Sequence, residues 1–316
     1  MHTENNVGFD NSHYNKLVIE DPGFTDLVEF LFNSDLKLGK IEAGINYEKL
    51  SLYNVFIIGV PTSDYKLDSN EIDDLVKYVK DGGSLLVIND KGGEFENKNN
   101  LNELTKHFGI YFNSDQLFDN EQFSEDNSRP IINVFKKHFI TRDVFQIIHS
   151  GGCTLKIDKS VEDDTLDVRA IGFSSKDTAW HKYYDSEKKE WDDKPVSNIP
   201  ILATAHYGLG KVVVIGNLSL FSSFHDIYGI HAADNFKLIS NIISWLLNKA
   251  YSKEAQLSQP IYTSIPIEQE LYYWIKEKLD EGRWKNLEEA INFALKVVKV
   301  RMRQHTTEEE EKEEEE

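Results

Sequence analysis

Apolar residues in the first third of the chain form two short uninterrupted runs, Val55–Val60 and Ser84–Ile88. Such runs predict strands that are buried on both faces. Between them, apolar residues recur at helical spacing after Asp68, which has a glutamate three residues later in a capping-box pattern, and Gly82 marks the end of that helix. This strand–helix–strand order predicts parallel strands joined by a right-handed crossover.

Similar patterns elsewhere extend the predicted α/β sheet. Further strands are predicted at Leu17–Glu20, Leu38–Ile41, Val144–Ile148, Thr154–Ile157, Val168–Phe173, Pro200–His206 and Lys211–Ile215, with helices after Thr25 and over Asp234–Leu247. A short glycine-containing turn joins the last two strands, which predicts a hairpin. The charged segment Asp185–Asp193 is predicted to be a hairpin tip or surface loop.

The same pattern predicts how the chain is divided. The expected segments are a disordered N-terminus at residues 1–15, an α/β domain at 16–250, a linker at 251–260, a small second unit at 261–305 and a disordered acidic tail at 306–316. The tail is expected to stay disordered because its like charges repel one another.

The net charge of −19 is unevenly distributed. The tail Glu308–Glu316 contributes −7, Pro260–His305 contributes +1, and the residues before them carry −13. A body this acidic repels phosphate backbones, so we expect the large domain to be a poor nucleic-acid binder.

The composition also bears on the cellular compartment. No apolar run reaches the roughly 18 residues that a spanning helix needs, so no membrane insertion is predicted. The first residues lack the basic start and apolar segment of a secretory signal. The single cysteine, Cys153, excludes an internal disulfide and fits a reducing environment. We therefore predict a cytoplasmic protein.

Short polar residues follow several predicted strands, and open α/β sheets bind ligands outside the carboxyl ends of their strands. The candidate ligand-binding residues are Asp21, Thr62, Asn89, Asp90 and Asn217. Their hydroxyl, amide and carboxylate groups suit a hydroxyl-rich, carbohydrate-like ligand. The simpler interpretation is that these residues cap helices and close turns.

The sequence predicts no catalytic residue, no metal site and no cofactor. Cys153 follows a glycine pair rather than a strand-to-helix elbow, and we interpret it as a buried structural thiol. His206 lies within a strand pattern, which favours a structural imidazole. His225 and His231 have no third metal ligand in register.

A family resemblance rests on three segments: Y-N-V-F-I-I-G-V-P at 53–61, D-G-G-S-L-L-V at 81–87 and F-G-I-Y-F-N-S-D at 108–115. They resemble the GIFT-type domain, which is shared by an auxiliary component of gliding-motility ABC transporters and a core subunit of intraflagellar transport complex B. The run Asn113-Ser114-Asp115 is closer to the intraflagellar form, as is His138–Thr141. The resemblance covers roughly residues 16–249.

This resemblance implies a flavodoxin-like parallel sheet sandwiched by helices, as in the class I glutamine amidotransferase-like superfamily. In those folds a nucleophilic cysteine follows the strand that corresponds to Ser84–Ile88, whereas Asn89 and Asp90 stand there in this chain. It therefore implies a non-catalytic binding or scaffolding role with other protein subunits. The run P-I-L-A-T-A-H-Y-G-L-G-K-V-V-V-I-G-N at 200–217 also resembles the closing strand pair of this group and of related trehalose-utilisation-type domains. Its last residue, Asn217, stands where that pattern often has an aspartate, which weakens a ligand role for this position.

The C-terminal unit resembles a ribbon-helix-helix module, with a strand at Ile261–Pro266, a helix at Glu268–Asp280 and a second helix from Asn286. Because one strand and two short helices cannot bury their own core, the resemblance implies a homodimer. The candidate dimer-forming residues are Ile261, Thr263, Ile265, Leu271, Ile275, Leu287 and Ile291.

Some ribbon-helix-helix modules bind DNA. The candidate DNA-contacting residues in that case are Tyr262, Ser264, Lys285, Asn286, Lys296, Arg301 and Arg303. Neither Tyr262 nor Ser264 is a strong reader of base edges, and the acidic domain and tail oppose binding. Dimerisation alone is the favoured interpretation of this unit.

Three functional hypotheses follow. The first is a cytoplasmic, non-enzymatic scaffold that dimerises through its C-terminal unit. The second is a ligand-responsive DNA-binding regulator, and the third is a hydrolase with an unrecognised active site.

Overall fold

The computed structural model describes residues 5–62, 65–161, 163–247 and 268–284, together with residues 287, 290, 291 and 293–295. The chain divides into two units, residues 1–263 and 264–316. The predicted linker at 251–260 and the predicted acidic tail at 306–316 lie outside the described residues.

The first unit is built on strands that belong to one large sheet and three small ones. In chain order they are β1 Asn6–Asp10, β2 Lys37–Ile41, β3 Val55–Gly59, β4 Ser84–Ile88, β5 Ile110–Phe112, β6 Asp115–Asp119, β7 Ile131–Ile132, β8 Val134–Phe135, β9 Ile147–Ile148, β10 Leu155–Ile157, β11 Leu166–Phe173, β12 Ala179–Asp185, β13 Glu190–Pro195, β14 Pro200–Tyr207 and β15 Gly210–Ile215. The large sheet has the order β2-β1-β3-β4-β15-β14-β11-β8. Its first five strands are parallel, and the last three alternate in direction.

Helices cover both faces of this sheet. They are α1 Thr25–Asn33, α2 Tyr47–Leu50, α3 Ser69–Lys80, α4 Gly93–Asn97, α5 Leu101–Thr105 and α6 Asn235–Leu246, with single 3₁₀ turns at Pro22–Phe24, Lys106–Phe108 and Ser219–Phe221. The predicted capping box of α3 is confirmed, because the Asp68 carboxylate accepts the Glu71 N–H at 2.9 Å and Glu71 accepts the Asp68 N–H at 2.9 Å. Helix α3 ends before Gly82, whose φ is +114°.

The strands of the sheet bury side chains on both faces, as the uninterrupted apolar runs predict. On β3, Val55 and Ile57 join the core that packs under α1 and α6, while Phe56 and Ile58 join the core under α2, α3 and α5. All four are at most 2% exposed. Full burial of side chains of this size contributes roughly 1.5–3 kcal/mol each to folding. The result is the helix–sheet–helix sandwich of a flavodoxin-like fold, which confirms the predicted fold class.

The remaining strands form small antiparallel sheets. Strands β13, β12 and β6 form a three-stranded sheet in that order, and β5–β10 and β7–β9 form separate pairs. The charged segment predicted at Asp185–Asp193 is a hairpin, although its second half already belongs to β13. The hairpin predicted around Gly208 joins β14 to β15 and is confirmed.

The start of the domain differs from the prediction. Leu17–Glu20 forms no strand, and the first strand is β1 within the residues predicted to be disordered. Strand β1 pairs with both β2 and β3. Its pattern was weak because only Val7 and Phe9 are apolar, with a glycine between them. Leu17 is buried instead as a loop residue whose N–H donates to the Gly59 carbonyl at 3.0 Å.

The second unit contains helix α7, Gln269–Asp280. Ile275 is 6% exposed, whereas Leu271 is 50% exposed, so the predicted dimer residues on this helix differ in burial. Leu287 and Ile291 are half-buried. The other predicted dimer and DNA residues lie outside the described residues, namely Ile261, Thr263, Ile265, Tyr262, Ser264, Lys285, Asn286, Lys296, Arg301 and Arg303. Across the described part of the chain, no helix is long and apolar enough to cross a membrane.

Candidate binding site at the carboxyl edge of the sheet

The carboxyl ends of four parallel strands, β1, β3, β4 and β15, meet at one edge of the large sheet. Their last residues are followed by side chains that the sequence singled out, Asn89 and Asp90 after β4 and Asn217 after β15. Ligands of open α/β sheets bind at this edge, which makes it the candidate functional site.

Asn89 is the centre of a buried amide network. It is fully buried, and its Oδ1 accepts hydrogen bonds from the amides of Asn97 at 3.2 Å and Asn99 at 3.3 Å. Lys16 closes the network from outside, because its Nζ donates to Asn97 Oδ1 at 2.8 Å. The side-chain oxygen of Asn89 is therefore already used in hydrogen bonds that stabilise the loops around it.

Asp90 lies at the mouth of this network. Burial raises the pKa of its carboxyl, and the charge of Lys16, whose Nζ is 3.5 Å from Asp90 Oδ2, opposes the shift. The Asp90 carbonyl accepts the Gly93 N–H at 3.0 Å at the start of α4. Asp90 thus closes a turn, as the simpler interpretation of the sequence proposes.

Asn217 is also fully buried. Its Oδ1 accepts the Ser219 hydroxyl at 2.8 Å and the Leu220 N–H at 3.2 Å, which caps the 3₁₀ turn after β15. Its Nδ2 has no hydrogen-bond partner in the part of the chain that the structure describes. The amide therefore serves as a turn cap with one unused donor.

The two remaining candidates do not join this group. Asp21 is exposed and accepts the Gly23 N–H at 2.7 Å, capping a 3₁₀ turn. Because Leu17–Glu20 is not a strand, Asp21 does not follow a strand end, and Asp10 at the end of β1 takes that place. Thr62 is half-buried, and its N–H donates to the His13 carbonyl at 3.2 Å.

Sequence reasoning missed an Asp–His–Glu chain at the same edge. His13 Nδ1 lies 2.9 Å from Asp10 Oδ2, and its Nε2 lies 3.0 Å from Glu71 Oε2. Burial alone would lower the pKa of His13, but its hydrogen bonds and charge interactions with Asp10 and Glu71 raise it. Correct placement of β1 would have exposed the signal, since Asp10 ends that strand and His13 follows three residues later.

The two carboxylates of the Asp10–His13–Glu71 trio also accept hydrogen bonds from other residues. Asn15 Nδ2 donates to Asp10 Oδ2 at 2.7 Å, and the Ile45 N–H donates to Glu71 Oε1 at 2.9 Å. An acid–histidine–acid arrangement can support catalysis only if the imidazole reaches a nucleophile or a substrate. Both ring nitrogens of His13 are bonded to carboxylates, so these three side chains hold β1 against α3.

Cys153 reaches the same edge from a distant part of the sequence. Its N–H donates to the carbonyl of Gly216, directly after β15, at 2.7 Å. The residue is fully buried, and burial together with the charges of Asp115 and Asp90 raises the pKa of its thiol well above the usual value. A neutral, inaccessible thiol is a poor nucleophile.

His149 packs beside Cys153. A side chain on Gly152 would place its Cβ 2.3 Å from His149 Nε2 and 2.6 Å from the Gly216 carbonyl, so a glycine is required there. His149 is fully buried, and among the described residues neither ring nitrogen has a partner at hydrogen-bond geometry. Burial lowers the pKa of His149 to about 4, which keeps the ring neutral near pH 7.

One backbone position at this edge is strained. Val60, directly after β3, has φ = +66°, a conformation that is rare for β-branched residues. Its N–H donates to the Ile88 carbonyl at 3.1 Å, and its carbonyl accepts the Lys16 N–H at 3.0 Å. Strain of this kind costs about 1–3 kcal/mol and persists where surrounding contacts fix it.

Comparisons with known proteins identify the domain. Residues 10–144 match the family model of the IFT52 GIFT domain. The chain carries a GIFT-type domain. The GIFT-type domain is also similar in structure to the mmIFT52 N-terminal domain, with a TM-score of 0.61 and 22% identity over 76% of this chain and 97% of that one. At this identity the likeness establishes the fold alone.

Two curated relatives extend the similarity beyond the GIFT-type domain. The chain is 24% identical to mouse intraflagellar transport protein 52 homolog over 294 residues, 86% of this chain and 63% of the mouse protein. It is 23% identical to the human homolog over 293 residues, 86% of this chain and 62% of the human protein. The chain thus spans less than two thirds of the length of these relatives.

The chemistry available at this edge of the GIFT-type domain is limited. Its amide and carboxylate groups are largely bonded to one another, its thiol is buried, and its histidines are paired with carboxylates or neutral. Among the described residues, no group of three or more histidine, cysteine, aspartate or glutamate side chains has an arrangement that could hold a metal ion. The arrangement stabilises the loops that cover the edge.

Proposed function

We propose that this chain is a non-enzymatic scaffold subunit of an assembly similar to that of intraflagellar transport, and that it acts in the cytoplasm. The observation that carries the proposal is the state of the carboxyl edge, where Asn89 and Asn217 fasten turns and the Cys153 thiol is buried. The match to the IFT52 GIFT domain and the two intraflagellar transport relatives support the same role. A filled edge suits a domain whose outer surface binds proteins.

Co-purification of the chain from its native cells tests this proposal. The tagged full chain should emerge in a stable, stoichiometric complex with other protein subunits, and mass spectrometry would identify them. A Cys153→Ala variant should assemble equally well, because the thiol has no chemical role. Recovery of the chain without stoichiometric partners would contradict a scaffold. So would catalytic turnover by the unmodified chain that is lost in the Cys153→Ala variant.

We also propose that the C-terminal unit makes the protein a homodimer. Helix α7 leaves Tyr272, Tyr273 and Trp274 between 42% and 57% exposed, which is much apolar surface for twelve residues. A second copy would cover such a surface, since large exposed apolar patches mark interaction sites. Sedimentation of the full chain should give a dimer, and deletion of Ile261–Glu316 should give a monomer. A truncated protein that still dimerises would place the interface in the GIFT-type domain.

A further inference from the structure

The three-stranded sheet of β6, β12 and β13 has one buried and one open face. Asp115, Leu117 and Asp119 of β6 are at most 1% exposed, and they define the inner face. The inner face is firmly attached, because the Asp115 carboxylate accepts the Thr154 N–H at 2.8 Å and contacts His181 Nδ1 at 2.6 Å. The alternate residues of each strand must therefore face outward.

The outer face carries two aromatic clusters. In the first, Phe118 and Trp180 are directly opposite each other across β6 and β12, and their rings stack with centroids 4.2 Å apart. In the second, Phe95 of α4 stacks on Tyr184 at 3.5 Å, and Trp191 meets both rings edge-on at 5.8 and 5.6 Å. None of these five side chains is fully buried.

Lys182 lies on β12 midway between the two clusters, two residues from Trp180 and two from Tyr184. It borders a pocket of about 180 Å³ that is also lined by Lys91, Glu96, Gln116 and Trp191. In the described part of the chain, Lys182 makes no ion pair, and Lys91 has only a long contact of 3.9 Å to Glu96. Two lysines and one glutamate therefore line the pocket, and Asp193 lies opposite Lys182 on β13.

We propose that this outer face binds an extended segment of a partner protein in which an acidic side chain is flanked at two residues on either side by apolar side chains. In an extended segment, residues two apart point the same way and are about 7 Å apart. Trp180, Lys182 and Tyr184 have this spacing on β12. The acidic group would enter the pocket between Lys182 and Lys91, and the apolar groups would cover the two aromatic clusters.

This inference rests on the scaffold role proposed above and names the chemistry of one partner surface. Aromatic residues are favoured anchors at protein interfaces because they bury large areas with little loss of side-chain freedom. Asp193 faces Lys182 across the β12–β13 pair, so a partner carboxylate competes with its negative charge. Removal of that charge should strengthen binding.

Fluorescence anisotropy with the full chain and a short labelled peptide tests the inference. The peptide carries one glutamate with leucine and phenylalanine two residues away on either side. It should bind saturably, and a version with glutamine in place of glutamate should bind about fivefold more weakly, as expected for loss of one partly exposed ion pair. Lys182→Gln should produce the same loss, Trp191→Ala a loss of about tenfold, and Asp193→Asn a gain.

Matched controls make the result specific. Lys176→Gln removes an exposed lysine elsewhere, and Phe32→Ala removes an aromatic ring that is 72% exposed on α1, so both should bind like the unmodified chain. With Lys182→Glu, a lysine peptide should bind better than the glutamate peptide. Equal binding of the glutamate and glutamine peptides, no binding to the unmodified chain, or tighter binding of a proline-rich peptide would overturn the inference.

The scaffold role itself is judged separately by co-purification. If the unmodified chain assembles with other subunits but binds none of the peptides, only the assignment of this face is wrong. If the unmodified chain co-purifies with no subunits, the scaffold role is wrong, whatever the peptides do.

Discussion

His149 shows how a single buried side chain can make the stability of this domain depend on pH. Its pKa is lowered to about 4 in the folded protein because the ring is fully buried, whereas an exposed histidine titrates near 6.5. The unfolded chain therefore binds more protons between these values, and stability is lost as the pH falls from about 6.5 toward 4. At the low end of that window the loss approaches about 3 kcal/mol.

Urea unfolding at pH 7 and pH 5 measures this dependence. His149→Leu should flatten it, since leucine has a similar size and the ring nitrogens make no hydrogen bond to any residue that the structure describes. The exposed His225 provides the control, and His225→Gln should keep the slope of the unmodified protein. An unchanged slope in His149→Leu would show that other groups carry the acid sensitivity.

Cys153 offers a second test at the same scale. Because its thiol is fully buried and its pKa is raised, it should resist alkylation by iodoacetamide in the native protein. Labelling should become fast in concentrated urea, and mass spectrometry would count the added groups. Rapid labelling of the native protein would mean that this part of the edge opens frequently.

At the scale of elements, Glu71 joins helix α3 to the rest of the domain. It completes the capping box, accepts the Ile45 N–H and contacts His13. Glu71→Ala leaves several buried donors without partners, so it should lower the free energy of unfolding by roughly 2–4 kcal/mol. Asp68→Ala should cost about 1 kcal/mol, the usual effect of a lost helix cap.

Chemical denaturation of these variants tests the order of the two effects. Asp73→Ala, an exposed substitution on the same helix, should change the free energy of unfolding by less than about 0.5 kcal/mol. If Glu71→Ala were no worse than Asp68→Ala, the contacts of Glu71 with Ile45 and His13 would contribute little to stability.

The same helix illustrates what sequence patterns can and cannot predict. The capping box of α3 and the strands around it depend on local spacing, which is why they were predicted correctly. Strand β1 has only five residues, three of them glycine or polar, so its burial depends on its neighbours β2 and β3 rather than on its own pattern. Missing β1 also hid the Asp10–His13 pair.

The residues of the candidate site also show that local patterns are predictable from the sequence and tertiary contacts are not. Asn89 was predicted to lie at a strand end because an apolar run precedes it, and the structure places it there. Its partner Asn97 ends α4 and its partner Asn99 lies in the loop after that helix, and no periodicity indicates either contact. Cys153 likewise meets Gly216 only through tertiary packing of segments more than sixty residues apart in the chain.

At the scale of the whole molecule, two surfaces of the first unit differ. The carboxyl edge of the large sheet is filled by side chains, whereas the outer face of the three-stranded sheet is accessible. The carboxyl edge is filled by amides and a thiol that bond or pack within the protein. The separate three-stranded sheet carries accessible aromatic side chains on its outer face, and Phe95 of α4 adds to them. Binding in this GIFT-type domain is therefore expected at its outer surface, where a protein partner can reach it.

The net charge of −19 gives a prediction for the intact protein. An excess of like charge destabilises a compact state through self-repulsion, and salt screens that repulsion over about 10 Å at 0.1 M. We therefore expect the thermal midpoint to rise as sodium chloride is added from low to physiological concentration. Lithium chloride at equal ionic strength should have the same effect, because screening depends on charge and concentration alone. A midpoint that fell with salt would instead show that favourable ion pairs, such as Lys40 with Glu20 and Glu42, outweigh the repulsion.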